Sequence, residues 1–318
     1  MQWADRIGHR VKLRDLHILL AVVEWGSMAK AASRLAISHP VISKTISDLE
    51  QTLGVQLLDR NARGVEPTVY GRALLKCGVA VFDEMRQGLT GLEFLTNPNS
   101  GDLRIGCPEM MTAGLLPVIA ERFSRQRPGV RLHVVHADTL ASQFDELRDR
   151  NVDLLIGTIP NPFLEEELVA ENLYDERTIP VAAPHSRWAR RRRIELSELV
   201  DEPWLLPPRD SVPGRITAEI FRASGLEVPR PGIVSLSIHL VIALVATGRF
   251  IALMPGSVVR FNPGRSAWKI LPVKLPMYQA ATVGIVTVRN RTIGPLAQSF
   301  IDYARKVTMP LAKFGRMP

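Results

Sequence analysis

A multidomain α+β chain is predicted by three patterns. Two short helices joined by a tight turn lie near the N-terminus. One helix long enough for several heptads follows them, and strands alternate with helices over the rest of the sequence. The expected layout is an N-terminal winged helix-turn-helix over residues 1–70, a long linker and dimerisation helix over 71–98, and an α/β domain over 99–318. At 318 residues the chain can hold two or three domains with sizeable cores. Its 46% hydrophobic and 23% charged residues are those of an ordinary globular protein.

The elements follow in order. Leu13, Leu16, Leu19, Leu20 and Val23 form one apolar stripe, which predicts a helix over 13–24. Ser27 follows Gly26 and can cap a second helix over 28–35, whose alanines allow a neighbour to approach closely. After a break at 36–38 a third helix opens with Pro40 in its first turn. Ile42, Ile46, Leu49 and Leu53 must face inward, which leaves His39, Pro40, Ser43, Lys44 and Ser47 on an outer face small and polar enough for a major groove. A solvated helix face has the same composition. Residues 55–68 read as a hairpin with its turn at Asn61–Gly64 and with Arg60 and Arg63 near the tip, a wing suited to phosphate or minor-groove contact.

From 68 to 96 the pattern is helical again. Leu75, Phe82 and Leu89 recur every seven residues, with Gly78, Met85 and Leu92 between them, as expected of a two-stranded dimer seam. A helix packed on its own domain is the alternative. The run Asn97-Pro98-Asn99-Ser100-Gly101 then marks a domain boundary. Beyond it, strands at 103–107, 130–136, 153–157, 178–183, 204–206, 250–254 and 283–288 alternate with helices at 114–125, 139–150, 196–200, 215–224, 237–247 and 295–307. Such alternation predicts parallel sheets in two tandem units, subdomain I over 102–174 and 289–318 and subdomain II over 175–288, with a cleft between them.

Composition narrows the functional classes. A net charge of +8 fits a polyanionic partner or simply a basic surface, since the charge is not gathered in one tail. Two cysteines, Cys77 and Cys107, exclude a disulfide framework and a CxxC metal pair. The first residues lack the apolar core of a signal peptide, and the most apolar run, 238–254, is interrupted by Gly248-Arg249 and too short for a membrane span. A cytoplasmic protein with no membrane partner is expected. No GxSxG, HExxH or Gly-rich phosphate loop is present, so no catalytic residue, metal ligand or cofactor is expected. The alternative is a ligand-binding α/β protein or enzyme with an accessory DNA-binding domain.

The stretch GSMAKAASRLAISHPVISKTISDLEQTLGVQLLDR, with GVEPTVYG after it, resembles the DNA-binding signature of LysR-type transcriptional regulators. The segments RIGCPEMMTAGLLPVIAERFSRQRPGVRLHVV and VDLLIG are similar to that family's effector-binding half. The resemblance implies a periplasmic-binding-protein-like fold of two α/β subdomains and no enzymatic activity. It also implies double-stranded DNA with an inverted-repeat operator as partner, a small-molecule effector, a homodimer or homotetramer, and RNA polymerase as a further partner. The DNA-binding residues it implies are Ser27, Met28, Ser38, His39, Pro40, Ser43 and Lys44, with Arg63 on the wing. Glutamine is usual where His39 stands, so base preference and pH sensitivity are expected to differ. Leu58 replaces a usual phenylalanine, which alters packing only.

The same resemblance places the effector between the subdomains, against strand-to-helix loops. Those loops supply Pro108, Glu109 and Met110, then Thr139 and Thr158, and from the second subdomain Arg209, Ser211 and Ser237. Glu109 is expected to repel an acid and accept an amine, hydroxyl or sugar. Each of these residues has a helix cap or surface loop as its alternative role. Leu75, Phe82, Met85, Leu89 and Leu92 are the dimerisation set. The basic run at Arg187 and 190–193 reads as a solvated loop before a second DNA contact, and Cys107 as a buried small apolar residue before a redox sensor.

Overall fold

A computed structural model of the chain describes residues 11–61, 64–137 and 139–314, in two compact units that divide between Leu89 and Thr90. The N-terminal unit begins with α1 (Leu13–Trp25), α2 (Met28–Leu35) and α3 (His39–Leu53). The hairpin strands β1 (Leu58–Asn61) and β2 (Gly64–Pro67) follow, and then the start of the long helix α4 (Val69–Thr96). Its core gathers Ile18, Leu19, Val22, Ala31, Ile42, Ile46 and Leu49, so the apolar stripes of all three helices meet as their spacing requires. Gly54 ends α3 at φ +73°, a left-handed conformation that costs glycine little. Ala36, in the turn between α2 and α3, adopts φ +54° without that freedom, so the tight turn is held by the helix packing around it.

The C-terminal unit contains β3 (Ser100–Cys107), α5 (Glu109–Ala113), α6 (Leu115–Gln126), β4 (Gly129–His136), α7 (Leu140–Arg148), β5 (Leu154–Ile159) and β6 (Leu168–Glu176). It continues with β7 (Thr178–Ala182), β8 (Trp204–Leu206), α8 (Val212–Ala223), β9 (Ile233–Val234), α9 (Ile238–Ala246), β10 (Ile251–Pro255) and α10 (Gly256–Phe261). β11 (Lys269–Ile270), β12 (Ala281–Val288) and α11 (Pro295–Phe314) complete it. The strands form two five-stranded sheets, ordered β4-β3-β5-β12-β6 and β11-β7-β10-β8-β9.

Both sheets are mixed, where a parallel arrangement is expected from the sequence. β12 runs antiparallel to both β5 and β6, and β7 runs antiparallel to β10 and β11. The cause is connectivity: the chain leaves the first sheet along β6, builds the second sheet, and returns along β12 between β5 and β6. Residues 281–288 therefore belong to subdomain I, not to subdomain II as the sequence division at 288 has it. The crossings lie at 176–178 and just before 281.

Helices cover both faces of the first sheet. Leu103, Ile105, Leu154 and Ile156 face α6 and α11 through Phe123 and Phe300, whereas Leu155, Ile159 and Val286 face α7 through Phe144 and Leu147. Adjacent residues of β5 thus enter opposite cores, the period-two alternation of a sheet buried on both sides. In the second subdomain Trp204 is fully buried, and its ring N–H donates to Leu199 O at 2.7 Å.

Candidate DNA-reading face and effector cleft

Ile42 and Ile46 are fully buried and Leu49 nearly so, which fixes the rotation of α3. That rotation leaves Ser38, His39, Pro40 and Lys44 exposed and Ser43 half-buried, on one outer face at the start of the helix. The Ser38 hydroxyl makes no capping bond, so it too is available outward. Ser27 stands at the cap position of α2, also without a side-chain capping bond. The Met28 side chain is buried in the domain core with residues of α1 and α3, so it does not share that outer face.

The hairpin is braced against this helix. Glu50 on α3 accepts from the Leu57 and Leu58 amides at 2.8 and 3.2 Å, and the Val65 amide donates to Gly26 O at 3.1 Å. Arg60 is exposed on β1, and Arg63 lies outside the described residues.

α4 divides the expected dimer seam. Leu75 packs on the N-terminal core, Gly78 lies against Leu20, and the Phe82 ring stands 5.9 Å from that of His17. Leu75 and Phe82 thus already have neighbours within the unit and remain half-buried. Met85, Leu89 and Leu92 are exposed at 47%, 59% and 62%, and Leu95 with them.

In the C-terminal unit a cleft of about 470 Å³ opens between the subdomains. It takes in Pro108, Glu109, Met110, Thr139, Thr158 and Ser211 of the expected set. Arg209 is a correction: it is exposed beside a different groove that it shares with Arg222 and Glu227. Ser237 does not line the cleft; it bonds to Glu109. Leu140, Gln143, Pro208, Val212, Pro213 and Arg215 were not singled out from the sequence, and all line the wall. Pro208 lies in the loop after β8, and the others lie in the first turns of α7 and α8, the positions next to the strand-to-helix loops.

Three of the expected contact hydroxyls act as helix caps. Thr139 Oγ1 accepts from the Ser142 amide at 3.1 Å, Ser211 Oγ from Gly214 at 3.1 Å, and Ser237 Oγ from Leu240 at 3.3 Å. Glu109 is also engaged within the protein. One of its oxygens accepts from Ser237 Oγ, from the His239 amide and from His239 Nδ1, at 3.1, 3.2 and 2.6 Å. Partial burial pushes its pKa upward, but the bonds from His239 and Ser237 outweigh that and hold it below the usual carboxylate value. Glu109 thus ties α5 of one subdomain to the start of α9 of the other, and only its second oxygen is left for a ligand.

A second carboxylate lies where the chain crosses between subdomains. Glu176 accepts from Tyr174 OH at 2.9 Å, from Ser257 Oγ at 2.5 Å and from the Ser257 amide at 3.0 Å, and burial raises its pKa despite those bonds.

Cys107 is fully buried, and burial pushes its thiol up to about 12, which removes the thiolate that redox sensing requires. The basic run is largely paired. Arg187 bonds Glu202, Arg191 bonds Glu198 at 2.6 Å, and Arg193 bonds Glu195 at 2.8 Å.

Two family models match the chain in the order of its units. Residues 13–72 match the bacterial regulatory helix-turn-helix protein of the lysR family, and residues 96–308 match the LysR substrate binding domain. The chain is a LysR-type transcriptional regulator. This regulator is 31% identical over 303 residues to the HTH-type transcriptional regulator BenM of Acinetobacter baylyi, a match covering 93% of the chain and 96% of BenM. It is 27% identical over 313 residues to the uncharacterized HTH-type transcriptional regulator YdcI of Escherichia coli, covering 98% of the chain and all of YdcI. Full-length OxyR of Pseudomonas aeruginosa shares its fold at a TM-score of 0.65 and 21% identity, covering 95% of the regulator and 98% of OxyR. The family is one of helix-turn-helix transcriptional regulators, not enzymes, and the same holds for this member. No helix among its described residues is long and apolar enough to cross a membrane.

Proposed function

We propose that this LysR-type regulator is a cytoplasmic homo-oligomer, a dimer or tetramer, that reads an inverted-repeat operator with α3. Ser38, His39, Pro40, Ser43 and Lys44 meet the major groove, with Ser27 and the hairpin contacting phosphate nearby. The observation that carries this reading is the outer face of α3, small, polar and singly basic, held in place by the buried Ile42 and Ile46. A small-molecule effector occupies the cleft lined by Pro108, Glu109, Met110, Thr139, Thr158 and Ser211. Its binding changes the angle between the subdomains, and through it the spacing of paired reading heads on DNA and their engagement of RNA polymerase.

The test is protection of the DNA beside the regulator's own gene against nuclease. Salt-sensitive, sequence-selective protection of two half-sites is expected at nanomolar to micromolar protein. Ser43→Glu places a carboxylate against phosphate and should weaken that binding by about a hundredfold or more while the protein stays folded and self-associated. Equal affinity of Ser43→Glu and the unmodified protein for operator DNA refutes the placement of α3 in the groove.

A further inference from the structure

We propose that Gln143 reads a hydrogen-bond donor on the effector, so that the cleft selects a compact, largely apolar molecule carrying a hydroxyl or amino group over one lacking it. This deepens the effector reading above and rests on it.

Gln143 belongs to the first turn of α7, yet only 4% of it is exposed. Its Nε2 donates to Ala137 O at 3.1 Å. A carbonyl can only accept, so this bond settles which end of the amide is which and leaves Oε1 as the other atom. Among the described residues Oε1 accepts no hydrogen bond. Its position follows from Gly157 within β5. A Cβ added there would stand 3.1 Å from Gln143 Oε1 and 3.2 Å from Pro108 Cδ. Gln143 and Pro108 both line the cleft, so the free carbonyl belongs to its wall. Gln143 Oε1 is thus open to the cleft, with no donor to it among the described residues, and a ligand group placed there either donates to it or displaces its water.

The surroundings point the same way. Met110, Leu140, Pro208, Val212 and Leu236 make most of the wall apolar. The charged side chains in it are Glu109, Asp210 and Arg215; two are acceptors, and Arg215 already donates to the Asp210 carbonyl at 2.9 Å. A ligand that ends in an ether or a methyl at this point displaces water from Gln143 Oε1 and offers nothing in return. That loss corresponds to about a tenfold to hundredfold weaker affinity.

The experiment uses matched probes on the full chain: benzyl alcohol against benzyl methyl ether, and cyclohexanol against methoxycyclohexane, with dissociation constants read by ligand-observed NMR. Each alcohol is expected to bind at least about tenfold more tightly than its ether. Gln143→Met should bring each pair to parity, with folding checked by circular dichroism. Leu236→Trp, which fills the cleft, should abolish binding of both members. Equal binding of alcohol and ether by the unmodified protein overturns the inference, and this comparison decides the matter even where Gln143→Met does not fold. A preference that survives in Gln143→Met overturns it as well. In both cases the cleft still stands as the ligand site as long as Leu236→Trp removes binding. Probes that bind regardless of Leu236→Trp, or that fail to bind at all, overturn both the inference and the effector reading beneath it.

Discussion

Glu109 shows how one carboxylate oxygen can matter more to the protein than to a ligand. Three donors from the start of α9 converge on it, and His239 Nδ1 must carry its proton to be one of them. Glu109→Gln keeps an acceptor but removes the charge that strengthens all three bonds. It should cost about 1 kcal/mol of stability at neutral pH, a value reduced by the exposure of His239. The pH dependence has a definite sign. A carboxyl whose folded pKa lies below its ordinary 4.5 contributes stability above that value and loses it as pH falls through the depressed folded value. The stability gap between the unmodified protein and Glu109→Gln should therefore be constant from neutral pH down to the carboxylate range and close below it. Denaturant unfolding across a pH series measures this, and a gap that widens on acidification contradicts the assignment.

At the scale of elements, the periodicity of the sequence was a good guide to which residues turn inward and a poor guide to what they turn toward. α1, α2 and α3 were legible because each carries one unbroken apolar stripe and all three close on one core. α4 carries a stripe as well, but its first half meets the N-terminal unit, with Leu75 on the core and Phe82 against the exposed His17 ring, while Met85, Leu89, Leu92 and Leu95 stay exposed. A heptad pattern cannot announce that change of neighbour. β6 escaped notice for a related reason. It is an edge strand that pairs only with β12, and its buried and exposed positions mix without a clean alternation. In the cleft, the loop residues were legible from strand-to-helix junctions, but Gln143 and Arg215 were not, since nothing in a helix sequence marks which side chain faces a neighbouring subdomain. The exposed half of α4 makes its own prediction. Leu89→Asp combined with Leu92→Asp should weaken self-association by about a thousandfold or more, since four leucines lose burial per dimer. Sedimentation at micromolar protein should then show monomers. Leu75→Ala should instead destabilise the N-terminal unit and leave association intact; the reverse pattern would show that the seam lies on the Leu75 side.

At the scale of the whole molecule, the hydrophobic cores separate along the chain. The N-terminal cluster runs from Val11 to Leu75, and the residues of the next begin at Phe94. Ile46 lies fully buried in the first and Phe300 fully buried in the second, with no core residue common to both. Cooperative unfolding depends on shared packing, so two cores that share no residue should melt as two transitions. Scanning calorimetry of the full chain is expected to resolve them. Ile46→Ala should lower only one, by about 2–5 kcal/mol of local stability, and Phe300→Ala only the other, by about 3–5 kcal/mol. An alcohol that binds the cleft should raise the transition that Phe300→Ala lowers and leave the first in place, because a ligand stabilises only the cooperative unit it binds. Should both substitutions and the ligand instead move a single common transition, the two units unfold as one body, and ligand binding in the cleft then stabilises the DNA-reading unit directly.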